Sequence, residues 1–162
     1  MKRSAVRLVS FLLATIAFSF LASGQSYNFL PSGRFILRSP AAYEIFHQCS
    51  RSTPSPSKTE VWEPSTADVD ELERALTPYL EKHEKTGKEA PPKKANYHRQ
   101  YVGFIRNGER YIYGNFYPGG EEFKSRESKD AVVICDGGPV FWGIVYRVKT
   151  KTFEEPRFNG SA

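Results

Sequence analysis

The apolar positions of this chain first follow a helical spacing and later an alternating one. In residues 65–85 apolar side chains recur every three or four positions, which predicts one amphipathic helix. The positions are Val69, Leu72, Leu76, Tyr79 and Leu80. Ser65 and Asp68 have the spacing of a capping box at the start of this helix, and Gly87 is expected to end it.

From Tyr97 onward the alternation predicts strands, and Asn107-Gly108 is a strong sequence signal for a β-hairpin. A two-residue turn there fixes the register of the two strands. The predicted opposite pairs are Arg106 and Glu109, Phe104 and Tyr111, Val102 and Tyr113, and Tyr101 and Gly114. We expect an ion pair in the first, apolar contacts in the next two, and an aromatic ring over the glycine in the last.

Two more strands are predicted after the hairpin. Ala131–Cys135 has the composition of a buried strand, and Asp136-Gly137-Gly138 favours a hairpin corner over an anion-binding nest. Val140–Val148 alternates, with one wholly apolar face that is expected to meet the helix. That face consists of Val140, Trp142, Ile144, Tyr146 and Val148. Phe153 and Phe158 indicate a final edge segment.

The region before the helix has weaker patterns. Residues 35–37 predict a short strand, residues 41–48 a helical turn or two after Pro40, and the Ser/Pro-rich residues 51–58 a loop. Together the elements predict an α+β fold, with one main helix packed on an antiparallel sheet in two layers. Cystatin-like domains share this order of elements.

The first 24 residues have the pattern of a cleavable signal peptide. Basic residues among the first seven precede about 15 apolar residues, at 8–22, and the small residues Ala22 and Gly24 come before Gln25. An apolar stretch of that length is shorter than the roughly 20 residues that span a bilayer. We therefore expect a single mature domain at 25–162, in the periplasm or secreted, without stable membrane insertion after cleavage.

Cleavage would also change the charge of the protein. The formal net charge of +5 falls to +2, because three basic residues and no acidic ones leave with the signal peptide. The lysines around residues 85–94 stand among Pro, Gly and Ala, which indicates a solvated loop. Because nucleic-acid binding needs a clustered basic face, we expect no nucleic-acid partner.

The chain has two cysteines, Cys49 and Cys135. An oxidising compartment favours a disulfide between them. The alternative is an extracytoplasmic thiol hydrolase, with Cys135 as nucleophile, His98 as base, and Asp136 or Asn115 orienting the base. The three histidines lack metal-ligand spacing, so no metal and no cofactor are expected.

Aromatic and arginine side chains are concentrated on the predicted hairpins. If the helix covers one sheet face, some of them lie on the other, where exposed rings with arginines at the rim would form a binding surface. Its predicted residues are Arg99, Tyr101, Arg106, Tyr111, Tyr113, Trp142 and Arg147. Alternatively, residues 25–60 cover that face and bury the rings. The favoured function is a non-enzymatic binding module of the cell envelope or exterior, which recognises a protein or a glycan and is monomeric. An inhibitor or an immunity protein is one form of it.

Several short strings carry a resemblance to a known group of proteins. They are CSR at 49–51, WEP at 62–64, RQYVGFIRNGERYIY at 99–113, CDGGPVFWGIVY at 135–146 and FNG at 158–160. The chain resembles a family of small exported bacterial proteins with no established activity, over most of its mature length. The resemblance implies export and a shared domain, and it implies no catalytic residue.

Overall fold

The alternating segments assemble into one sheet of seven strands, and the periodic segment forms a helix. A computed structural model describes residues 26–161, so the predicted signal peptide lies outside the described residues. The strands and helices are β1 Asn28–Ile36, α1 Ala41–Glu44, β2 Val61–Trp62, α2 Thr66–Lys85, β3 Asn96–Arg106, β4 Glu109–Pro118, α3 Glu121–Lys124, β5 Trp142–Arg147, β6 Thr152–Phe153 and β7 Arg157–Phe158. The fold is α+β, with one main helix and a mostly antiparallel sheet, as predicted.

The main helix begins and ends where its sequence signals lie. The hydroxyl of Ser65 accepts a hydrogen bond from the backbone N–H of Asp68, and the Asp68 carboxylate accepts one from the backbone N–H of Ser65. This satisfies N–H groups that have no partner within the helix. At the other end Gly87 adopts a positive φ of 75°, which favours glycine just after a helix.

The central hairpin has the predicted register. Asn107 and Gly108 both have positive φ, as a tight two-residue turn requires, and all four predicted pairs lie opposite one another. The predicted ion pair between Arg106 and Glu109 was wrong. Arg106 binds Glu154 instead, and the Glu109 carboxylate lies 2.9 Å from Arg147 on β5, because the neighbouring chain segments bring opposite charges to both residues.

One face of the sheet packs against α2, and we call it the helix face. Its core combines the buried stripe of the helix with aromatic and aliphatic side chains of β3, β4 and β5. The core members are Tyr27, Val69, Leu72, Leu76, Leu80, Tyr97, Tyr101, Ile112, Phe116, Trp142, Ile144 and Tyr146. Val148 packs at its edge. The prediction that this face of the 140–148 segment meets the helix is confirmed, apart from Val140, which lies in a 3-10 turn.

The opposite face, which we call the second face, is also covered. Leu37, Ala42, Ile45 and Phe46 pack on the rings and aliphatic chains of β3, β4 and β5. Further along the sheet, Phe123 and Val132 pack against Tyr117 in a smaller cluster. The alternative in which residues 25–60 bury the second face is therefore confirmed for residues 37–46, and the segment after β4 completes the cover.

Residues 131–135 do not form the predicted strand. Their backbone groups bind the side-chain amides of Gln100, Asn115 and Asn159 in place of a neighbouring strand. Gln100 accepts a hydrogen bond from the N–H of Val132 at 2.8 Å, while Asn115 donates to the Val132 carbonyl at 2.9 Å. Asn159 donates to the Ile134 carbonyl at 2.6 Å. Residues 131–134 are buried or half-buried, and side-chain amides bind their backbone groups. Composition alone cannot distinguish that case from a strand.

The edge strand β1 is the least expected element. It pairs in parallel with β3 and extends well before the predicted residues 35–37. Phe29 lies opposite Tyr97 and Arg34 opposite Arg99, so residues 30–33 form a bulge opposite the single residue His98. Bulges of this kind occur at sheet edges and beside functional sites, where they redirect side chains.

Candidate functional site

The seven residues predicted to form a binding surface lie on opposite faces of the sheet. Arg99, Tyr101 and Trp142 belong to the helix face; the tyrosine and the tryptophan are fully buried. Tyr111 and Tyr113 belong to the core of the second face and are 3% and 2% exposed. The single exposed surface predicted from the sequence was wrong, because a strand alternates its side chains between faces and both faces are covered.

Arg106 and Arg147 are the two members of that set that keep a substantial exposed fraction. Their side chains are 41% and 43% exposed, and both guanidinium groups lie over the ring of Tyr111, at 4.3 and 5.4 Å from its centre. Each is also paired with a glutamate. These contacts close the end of the second face. A binding role for any of the seven residues stays a prediction.

Both cysteines are in a disulfide that joins Cys49 to Cys135. The thiol hydrolase that would use Cys135 as nucleophile is therefore incompatible with this structure, since a thiolate is the reactive form. The proposed base is also engaged elsewhere. His98 pairs with Glu127, and Asn115 binds Gln100 and the Val132 carbonyl.

The bulge of β1 brings together polar and charged groups that lie far apart in the sequence. On the helix side, Arg99 makes a two-pronged contact with Glu73 of α2, with Nε and Nη2 at 2.7 and 3.2 Å from the two carboxylate oxygens. Its third nitrogen donates to the carbonyl of Leu30 in the bulge. Tyr101 donates its hydroxyl to the same carboxylate at 2.9 Å. The bulge, strand and helix thus share one buried polar centre.

The electrostatics of this centre follow from its burial and from Glu73. Burial raises the pKa of Tyr101 well above its usual value, and the negative charge of Glu73 raises it further. Burial alone would lower the pKa of Arg99, but the hydrogen bonds and charge of Glu73 outweigh it and raise that pKa. The centre therefore holds an ionised arginine and a neutral tyrosine across the ordinary pH range.

An open cleft of about 740 Å³ lies above this centre, between β1 and α2. Its walls carry charged groups of both signs and one aromatic ring, from Phe29, Arg34, Asp70, Glu73, Arg74 and Arg99. Arg34 lies 2.7 Å from the Asp70 carboxylate and donates to the Thr66 carbonyl at 3.2 Å. The side chain of Asp70 is 51% exposed, so the cleft presents partly free charges to solvent.

On the other side of the bulge, His98 lies in a narrow slot. Its Nδ1 is 2.8 Å from the Glu127 carboxylate, which also accepts the hydroxyl of Tyr117 at 3.1 Å. A Cβ at Gly33 or Gly119 would come within 2.2 or 2.5 Å of the imidazole ring, so both glycines are required for the close approach. Burial and the charge of Glu127 raise the pKa of Tyr117.

We regard the bulge with its cleft, called here the bulged edge, as the candidate functional site. Of the predicted binding residues it includes Arg99 and Tyr101. The sequence did not indicate Glu73, Asp70 or Arg34, because their meeting depends on the parallel pairing of β1. One signal was available: Asp70 and Glu73 are three residues apart, beside the apolar stripe of α2, which places them on neighbouring positions of the helix surface.

Comparison with protein-family models, with curated proteins and with solved structures finds no match. Within residues 26–161, no helix is both long and apolar enough to cross a membrane. The same residues contain no group of three or more histidine, cysteine, aspartate or glutamate side chains placed to bind a metal ion. The geometry of the bulged edge is therefore the basis for a functional assignment.

Proposed function

We propose that this protein is an exported, non-enzymatic binding protein that recognises a protein partner at the bulged edge. The observation that carries the proposal is the open cleft, which exposes charged groups of both signs next to an irregular edge strand. A polypeptide ligand carries complementary charges of both signs. The cleft is also open enough to receive a side chain or a short extended segment without rearrangement of the sheet.

Export is supported by the disulfide and by the first 24 residues of the sequence. Disulfides persist in oxidising compartments and are rare in the cytosol, and the bond here joins residues 86 positions apart. The proposed location is therefore the periplasm or the exterior of the cell. The formation of the bond also removes the only thiols that could serve as nucleophiles.

A protein partner is favoured over a glycan by the burial of the aromatic residues. The rings that would form a stacking platform for sugars, such as Tyr101 and Trp142, are fully buried, and a ring binds a ligand only through an exposed face. In the cleft, Phe29 is half-buried and lies beneath the guanidinium of Arg99 at 5.8 Å. An inhibitor or immunity protein is one form of the proposed function.

The test compares two charge reversals on the same helix. Arg74 is exposed and lines the cleft, whereas Lys85 is exposed at the far end of α2, about 16 Å away along the helix axis. The tagged mature domain is used to capture proteins from the extracytoplasmic fraction of cells that produce it. We expect Arg74→Glu to lose a partner captured by the unchanged protein, and Lys85→Glu to keep it.

The capture has two outcomes that would contradict the proposal. A partner that both variants retain equally would show that binding occurs away from the cleft. No specific partner for the unchanged protein would oppose the binding function itself. Near-ultraviolet circular dichroism of both variants checks that the fold is intact, and exposed helix substitutions of this kind change stability by about 0.5 kcal/mol or less.

A further inference from the structure

Arg51 is a buried cation for which residues 26–161 provide no acidic partner. The residue is 8% exposed, and its guanidinium donates to Tyr113, Asn115 and Asn159. All three acceptors are neutral oxygens. None of the arginine ion pairs formed within residues 26–161 includes Arg51.

Among residues 26–161, the positive charge of Arg51 has no paired negative charge, and some of its N–H groups have no acceptor. A guanidinium has five N–H groups, and the three contacts use one on each nitrogen, which leaves two. Buried charges in proteins are normally paired, because an uncompensated ion in the interior carries a large desolvation cost. The rigid fork of arginine matches the oxygens of a carboxylate or phosphate in a two-pronged contact.

Arg51 is one of the residues that line a cavity of about 310 Å³ on the second face, away from the bulged edge. Arg51 lines it together with His47 and the hydroxyl-bearing residues Ser52 and Ser55. One acid stands close by: the Glu44 carboxylate is 3.1 Å from Nδ1 of His47, which is 54% exposed. The lining itself contains an arginine, a histidine, hydroxyls and no carboxylate.

We infer that this cavity binds a small oxyanion, a carboxylate or a phosphate, with the guanidinium of Arg51 as its main ligand. The anion supplies the missing counter-charge and accepts the two remaining N–H groups, and Ser52 and Ser55 line the same cavity. The site goes beyond the proposed partner binding, because it lies on another surface and uses other residues.

Thermal unfolding in inorganic phosphate and in acetate tests the site, with chloride holding the ionic strength constant. An anion that binds only the folded state raises the melting temperature by mass action. For a dissociation constant of about 1 mM, 10 mM anion is expected to raise it by about 4 °C. A shift in one of the two salts identifies which oxyanion fits. No shift in either salt overturns the inference.

Two matched variants test whether the anion-dependent shift in melting temperature arises from this cavity. Ser55→Glu places a carboxylate in the cavity lining and is expected to abolish the shift, whereas Ser125→Glu, exposed on another segment, is expected to keep it. Equal shifts in the unchanged protein and in Ser55→Glu, or loss in both variants, would overturn the assignment. In the unchanged protein, the side-chain N–H resonance of Arg51 is expected to move on titration with the active anion. An unmoved resonance also contradicts direct binding.

Discussion

The two faces of the sheet are covered by different means. On the helix face a single element of 20 residues, α2, satisfies its own backbone and contributes a buried stripe. On the second face a four-residue helix and two irregular segments lie over the rings. The amides of Gln100 and Asn115 bind the backbone of residues 127–132, and the disulfide ties Cys49 to Cys135. The cover of the helix face is therefore specified by local sequence, and that of the second face by contacts between residues distant in sequence.

The largest effect is expected from removing the disulfide. In the chain-entropy model, cross-linking a loop of this length stabilises the fold by about 4.5 kcal/mol. The double variant Cys49→Ser/Cys135→Ser should lower the urea midpoint accordingly, and a reducing agent should do the same to the unchanged protein. Hydrogen exchange should rise first in the second-face cover. Equal urea midpoints for the oxidised and reduced protein would contradict the role given to the bond.

A cavity in the helix face should have the next largest effect. Leu76 is fully buried in the core beneath α2, so Leu76→Ala is expected to cost about 3 kcal/mol of unfolding free energy. The exposed Lys82→Ala on the same helix serves as the control and should change stability by about 0.5 kcal/mol or less. A cost for Leu76→Ala near that of the control would mean that the stripe is not the main contact of the helix.

Removal of the side-chain amide of Gln100 distinguishes most directly between the two ways of covering the sheet. Gln100 accepts from the Val132 N–H and donates to the carbonyls of Glu127 and Asp130, both at 2.7 Å. Gln100→Ala leaves these groups unpaired and is expected to cost about 2 kcal/mol. Hydrogen exchange should increase in residues 127–134 more than in α2. A uniform increase across both regions would argue against local pinning by this side chain.

The smallest effect is expected at the start of α2. Ser65→Ala removes the cap that accepts the Asp68 N–H, at a cost of about 1 kcal/mol. Thr66→Ala, one residue further at an exposed position without a cap bond, should be nearly neutral. Urea unfolding of both variants makes the comparison. Equal costs for the two substitutions would show that the cap contributes little here.

The sequence predicts the helix face well because its signals are local. The capping pair at Ser65 and Asp68, the stripe of α2 and the Asn107-Gly108 turn each act within a few residues. The hairpin register then follows from counting. The disulfide was also predictable, since two cysteines and an expected oxidising compartment leave one pairing.

The second face and the candidate site were not predictable in the same way. Residues 131–135 resemble a strand in composition, and only their partners, the amides of Gln100 and Asn115, show that they are not one. The bulged edge depends on a parallel pairing of β1 with β3 across more than 60 residues. A pairing between residues so far apart leaves no local sequence pattern, so the sequence alone does not indicate that Arg34, Glu73 and Arg99 lie together.

The ring closed by Cys49 and Cys135 has a consequence for proteolysis. It contains α2, β3 and β4, and its longest run of exposed residues is 84–89, at the end of the main helix and in the turn that follows it. A single backbone cut there would leave both fragments covalently joined and the sheet intact. A nicked molecule would migrate as one band on a non-reducing gel and as two after reduction, while its circular dichroism would change little.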